Sequence, residues 1–151
     1  MGASSFGYFG CYLRIDVSNG SVARVPLEET VLRQFIGGSG LGAWLLLQES
    51  RSCPDALAPA APLIFVFSPL VGSPLTTSAK FAVVSKSPLT DRINDSLAGS
   101  GFAIAGKQCG CDAIVVVGRA PVLSVLVVDD GRARLETAAD LIADLEQALG
   151  A

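Results

Sequence analysis

Apolar and polar positions alternate from Tyr12 to Val17, break at Ser18-Asn19-Gly20-Ser21, and resume in an extended pattern from Val22 to Val25. A period of two predicts a half-buried strand. Asn-Gly suits the two central residues of a tight turn, because both tolerate positive φ. This stretch therefore predicts a β-hairpin, ended by Pro26. From Glu28 to Ser50 the period lengthens. Val31, Leu32, Phe35 and Ile36, then Leu41, Trp44 and Leu45, recur three and four residues apart, the spacing of one helix face. Gly37-Gly38-Ser39-Gly40 interrupts this run, and four such residues in a row disfavour a continuous helix. The pattern predicts a short helix, a glycine loop, and a longer helix from about Gly40 to Glu49.

Pro54 to Pro62 is an Ala/Pro loop, and Leu63–Phe67 reads as a buried strand. Ser68–Thr77 is rich in Ser, Pro, Gly and Thr and predicts an irregular loop. Lys80–Ser85 is a further strand, and Pro88 to Asp95 reads as a turn region. Gly99 to Lys107 predicts a small-residue helix capped by Ser96 or Ser100 and stopped at Gly110. Ala113–Val117 is a strand, Val122–Val128 and Arg132–Leu135 form a hairpin around Asp130-Gly131, and Thr137 to Leu149 reads as a closing amphipathic helix. The order ββ-α-β-β-α-β-β-β-α predicts an α+β fold with mainly antiparallel β-sheets and about three helices.

Composition narrows the functions open to such a domain. With 151 residues the chain can bury one core. Half its residues are hydrophobic, only 17% are charged, and the mean hydropathy is +0.52. A chain this apolar is expected to cover surface by self-association or against a partner. The net charge is −3, and with no basic stripe nucleic acid is not an expected partner. No apolar run reaches membrane-helix length, and Met1–Gly10 lacks the features of a signal peptide. Together these predict a cytoplasmic protein without a membrane anchor. The absence of histidine removes Ser-His-Asp and Cys-His catalysis. The four cysteines, Cys11, Cys53, Cys109 and Cys111, lack the spacing of a zinc or iron–sulfur signature and read as structural.

Candidate chemistry is confined to three small-residue turns, Gly37–Gly42, Gly72–Thr77 and Ala98–Gly101, each beside a candidate helix start. A helix N-terminus offers unpaired N–H groups and a positive partial charge, so it can hold an anion; such turns also serve simply for close packing. Gly40-x-Gly42 is not a dinucleotide fingerprint, because Leu45 occupies the third glycine position. Lys80 and Lys86 flank an apolar strand, either as solvated strand ends or as cations aimed at a bound anion. Asp91 and Asp95 are open to two readings, a carboxylate pair or turn-forming acids. Phe35 and Trp44 read as core.

Several stretches taken together resemble the aldehyde ferredoxin oxidoreductase family. Phe6 to Gly20 is similar to its opening, an aromatic-glycine stretch leading into a strand and an "L-S/T-x-G" turn. Phe35-Ile36-Gly37-Gly38-Ser39-Gly40-Leu41-Gly42-Ala43 resembles its glycine-rich helix start, and Ser68-Pro69-Leu70-Val71-Gly72 its "G-P-L-T-G" loop. Val83-Val84-Ser85-Lys86-Ser87-Pro88-Leu89-Thr90 is similar to "V-x-S/T-K-S-P-L-T". Ile93 to Ser100 resembles "I-G-D-S-N-A/S-G-G", and Lys107 to Ala120 resembles "K-x-A-G-Y-D-A-I-V-V-x-G-x-A".

The resemblance implies the following. Family members are tungsten or molybdenum enzymes that oxidise aldehydes to carboxylates, with ferredoxin as electron acceptor. Their N-terminal domain is a β-rich platform for two pyranopterins whose phosphates are bridged by magnesium. By position, the basic residue of the first pterin site falls on Lys80, and the cradling loop on Asp95–Ser100, with Asp95, Ala98, Gly99 and Ser100 as cofactor contacts. Three positions depart from the family pattern: Lys80 stands for arginine, Leu97 for asparagine, and Ser100 for the second glycine. The resemblance covers residues 1–151 as a domain expected to stop before the family's second glycine loop and its [4Fe–4S] cysteines. The chain is then expected to be inactive alone, to contain no catalytic residue, and to work with further domains or a second subunit. The alternative is a non-catalytic, self-associating scaffold that keeps the fold and has lost the cofactor.

Overall fold

The computed structural model describes residues 7–51 and 55–139. Its elements are β1 (Cys11–Asp16), β2 (Ser21–Pro26), α1 (Glu29–Phe35), α2 (Gly38–Glu49), β3 (Leu63–Phe67), β4 (Lys80–Lys86), β5 (Ile93–Gly99), α3 (Gly101–Gln108), β6 (Ala113–Val117), β7 (Ser124–Asp129) and β8 (Arg132–Thr137). The predicted α+β class holds. Two hairpins form where the sequence places Asn19-Gly20 and Asp130-Gly131, with Gly20 and Gly131 both at positive φ.

A six-stranded sheet in the order β2-β1-β6-β3-β4-β5 forms the centre, and β7 and β8 form a separate two-stranded ribbon. All pairings are antiparallel except β1 with β6. Strand alternation divides the core in two. On one face Tyr12, Ile64, Val66, Ala82, Val84, Ala113, Val115 and Val117 pack under α1 and α2, through Leu32, Leu41, Leu45 and Leu46. On the other face Leu13, Ile15, Phe67 and Ile114 pack with Cys109 and Cys111, and with Leu126, Val128 and Ala133 of the β7–β8 ribbon. Each fully buried large side chain among these contributes about 1.5–3 kcal/mol through removal from water.

Small residues set how closely the layers approach. A Cβ on Gly42 would stand 2.5 Å from Val84 Cγ2, so only glycine lets α2 lie this close to the sheet. Phe35 and Trp44 sit at the rim of this core with ring centroids 6.2 Å apart, half-buried rather than fully enclosed.

Five expectations are corrected. Residues 93–99 are not a turn and helix start but strand β5; Asn, Asp and Gly are poor strand formers, and here the seven-residue register with β4 overrides local preference. The helix expected from Gly99 starts at Gly101. The second helix opens at Gly38 rather than Gly40, because the break falls at Gly37 (φ 150°). Val122 and Leu123 precede β7 as exposed loop, and Thr137 ends β8 instead of opening a helix. The rest of the expected closing helix, from Asp140, lies outside the described residues, as does Cys53.

Candidate functional site

Lys80 opens β4 and Gly99 closes β5, and the two are cross-strand partners. Opposed residues in an antiparallel pair point to the same face. With no side chain on Gly99, the lysine lies across it: a Cβ there would be 2.8 Å from Lys80 Nζ and 3.1 Å from its Cδ. Directly afterwards the chain turns into α3. Ser100 N donates to the Ala79 carbonyl at 3.2 Å, and Ser100 Oγ accepts from Phe102 N at 3.1 Å, so of the two expected caps Ser100 serves and Ser96 lies within β5. The exposed lysine therefore lies over Gly99, two residues before the positive end of α3 at Gly101. This pairing of features suits an anionic ligand group such as a phosphate.

The other expected contacts do not all join this corner. Asp95 pairs with Val84, four residues up β5 from Gly99, which at strand rise is about 13 Å. Its Oδ2 accepts from Ser39 Oγ at 2.6 Å, which fastens β5 to the first turn of α2. Ala98 stands opposite Phe81 and so faces the other side of the sheet. The stretch 95–99 is thus a strand, not a loop, and it spreads these residues along an edge and over two faces. Leu97 shares the face of Lys80 and Asp95 and is 69% exposed.

Asp91 and Asp95 have separate partners. Asp91 Oδ1 is 2.6 Å from Lys86 Nζ, and this hydrogen bond and charge hold its carboxyl below the usual range. Of the three small-residue turns, those at Gly37 and Ser100 lead into helices, while Gly72–Thr77 leads into β4. Among the described residues, no group of three His, Cys, Asp or Glu side chains is placed to hold a metal ion. Cys11, Cys109 and Cys111 are buried free thiols in the core beneath the β7–β8 ribbon. Burial pushes the Cys111 thiol up to about 12, so it is an inert packing group.

Two features escaped sequence reading. One is a cavity of about 410 Å³ between α3 and the β7–β8 ribbon, walled by Phe65, Phe102, Ile114, Leu126 and Val128 among others. The other is a buried ion pair: Lys107 Nζ donates to Asp112 Oδ1 at 2.7 Å. The same carboxylate accepts from Phe9 N at 3.0 Å and Gly10 N at 2.8 Å. The ammonium also lies 5.2 Å from the Phe9 ring centre and 5.8 Å from that of Tyr8. The one signal available was an acid directly before an all-apolar strand, five residues after a lysine.

Comparison with known proteins agrees with this architecture. The family described as aldehyde ferredoxin oxidoreductase, N-terminal domain, matches residues 12–148. The tungsten-containing aldehyde ferredoxin oxidoreductase of Pyrococcus abyssi is 31% identical over 95% of this chain, and that of Pyrococcus furiosus 36% identical over 76%. An aliphatic sulfonate oxidoreductase, WOR-like subunit, of Pyrococcus furiosus is 33% identical over 76%. Among solved structures, the active-site complex BamBC of benzoyl coenzyme A reductase superposes with a TM-score of 0.83 at 25% identity, over 95% of this chain and 23% of that one. The chain belongs to the aldehyde ferredoxin oxidoreductase family, to whose N-terminal domain it corresponds. It spans about a quarter or less of the length of the curated relatives it matches. Among the described residues no helix is long and apolar enough to cross a membrane.

Proposed function

We propose that this chain is the front portion of the pterin-holding platform of a tungsten or molybdenum oxidoreductase acting on aldehydes, working with the further domains or second subunit that complete it. The supporting observation is the Lys80–Gly99 crossing beside the capped start of α3. A side chain at position 99 would fill the space over which the ammonium lies, and the ammonium and the helix end together fit the phosphate of a pyranopterin. The fit is partial. Lysine keeps the charge of the family's arginine but not its bidentate geometry, and Leu97 has no hydrogen-bonding group to offer a pterin.

The bound metallopterin would supply the redox chemistry, and ferredoxin would accept the electrons. The residues of this chain would position the cofactor: Lys80 neutralises the phosphate, Gly99 keeps the approach open, Ser100 fixes the direction of the α3 N-terminus, and Asp95, tied to Ser39, holds the edge against α2. Magnesium would be carried on the phosphates, the side chains described here supplying no ligand cluster of their own. Among the described residues none is assigned as acid or base on the aldehyde. In the protein purified with its companions under anaerobic conditions, Lys80→Ala is expected to lower pterin content, read as the fluorescent oxidised pterin, with the far-ultraviolet circular dichroism unchanged. Unchanged pterin content would refute the assignment of Lys80.

A second reading is favoured by the exposure of Leu97. In it, the fold persists as a non-catalytic module that covers its apolar edge by self-association.

A further inference from the structure

We propose that Phe102 is the positioning residue of the phosphate grip: its ring is the spacer that sets where the N-terminal end of α3 stands relative to Lys80. This rests on the reading of Lys80 and the start of α3 as holding a phosphate, and it names the side chain that brings the two into one place.

The grip joins two elements that no strand pairing joins, since Lys80 belongs to β4 and the helix end to α3. Ser100 N on the Ala79 carbonyl fastens the start of the helix at one point, about which the helix could pivot. Its direction is then set by the face it lays against the sheet. Phe102 and Gly106, four residues apart, share that face. At Gly106 the approach is close: a Cβ there would fall 2.1 Å from Cζ of Phe67. At Phe102 a ring is interposed. Its centroid lies 4.9 Å from that of Phe81, 5.6 Å from that of Phe65 and 6.2 Å from that of Phe67, with interplanar angles of 51–59°. These distances fall in the range that aromatic pairs prefer. Helix α3 thus rests on a glycine at one end of this face and on a ring at the other.

Phe81 links this spacer to the lysine. It follows Lys80 on β4 and, by strand alternation, points to the opposite face of the sheet, where it stands across from Phe67. Phe102 is also bound into the cap, its N–H donating to Ser100 Oγ at 3.1 Å. One residue therefore carries both a capped N–H and the ring that meets the lysine's neighbour. A ringless side chain at 102 would let the start of α3 settle toward the sheet and swing away from the space above Gly99. A misplacement of about 1 Å is costly to a positioned group, so the loss falls on anion binding more than on the fold.

The test measures binding of inorganic pyrophosphate to the 151-residue chain by calorimetry, well below the unfolding midpoint of every variant. The unsubstituted chain should bind, and Lys80→Ala should bind more weakly. Phe102→Leu and Phe102→Met should each weaken binding about fivefold, the size of a helix-end contribution to anion binding, with circular dichroism unchanged. Phe102→Tyr, which keeps the ring, should bind as the unsubstituted chain does. Leu126→Ala, a core truncation in the β7–β8 ribbon, should lower the unfolding midpoint without changing affinity, which separates positioning from general loosening. Leucine and methionine variants that bind like the unsubstituted chain while Lys80→Ala does not, or a tyrosine variant as weak as they are, would overturn the role of Phe102 alone. Equal weakening by Leu126→Ala would do the same. An unsubstituted chain that binds no pyrophosphate, or a Lys80→Ala variant that binds it undiminished, would overturn the phosphate reading of this corner and this inference with it.

Discussion

Replacing Asp112 by alanine tests the packing logic of the fold at its most charged buried point. The carboxylate is fully buried and accepts from Lys107 Nζ, Phe9 N and Gly10 N at 2.7–3.1 Å. Removing it leaves an ammonium on a residue only 7% exposed and two backbone donors without their acceptor. Breaking one side of a buried ion pair costs about 3–5 kcal/mol, because the remaining charge stays desolvated. Against a total stability of about 5–15 kcal/mol for a domain of this kind, that is a large share. With a urea slope of about 2 kcal/mol/M, the unfolding midpoint should fall by about 2 M. The double variant Lys107→Met with Asp112→Asn removes both charges and keeps an oxygen for the Phe9 and Gly10 amides. It should be more stable than Asp112→Ala, although it carries one more substitution. Equilibrium urea unfolding followed by tryptophan fluorescence and circular dichroism measures both. A loss below about 1 kcal/mol in Asp112→Ala, the size of one ordinary hydrogen bond, would refute the view that this pair fastens residues 9 and 10 to the α3–β6 junction.

Two further outcomes follow from the same packing. Gly106→Ala would drive a methyl group into the ring of Phe67; overpacking of this sort costs about 1–3 kcal/mol, seen as a lower unfolding midpoint, and no loss would mean that α3 sits farther from the sheet. For pH, burial first and then repulsion from Cys109, Cys11 and Asp112 raise the Cys111 thiol from its ordinary 9.0 to about 12. A raised folded value means that the contribution is complete below pH 9 and is lost as pH rises from about 9 to 12. Stability followed across that window should fall, and Cys111→Ala should flatten the fall; an unchanged alkaline slope in that variant would contradict the assignment.

The parts of the fold legible in the sequence are those where one local rule dominates. The Asn19-Gly20 and Asp130-Gly131 turns, the apolar runs of β3 and β6, and the Ser100 cap each follow from a single short-range preference. Strand β5 was hidden because Asn94, Asp95 and Gly99 favour turns, and only the partner strand makes them extended. The site was affected in the same way. The proximity of Lys80 and Gly99 depends on a register that no local pattern encodes, while the separation of Ala98 and Asp95 from that corner follows from strand alternation and rise once β5 is known. The Lys107–Asp112 pair was hidden for a different reason: a lysine and an acid five residues apart ordinarily mark a solvated helix end, and the burial comes from the aromatic segment at Tyr8 and Phe9, a hundred residues away in sequence.

Metal and pterin analysis decides whether this chain holds a metallopterin. The chain should be isolated without oxygen from its native host, together with whatever accompanies it, and assayed for tungsten, molybdenum, iron and pterin. Near-stoichiometric pterin with tungsten or molybdenum is expected, with iron that follows the companion polypeptide or domain. A complex isolated intact that contains neither metal nor pterin would contradict it and leave the self-associating module as the reading that stands.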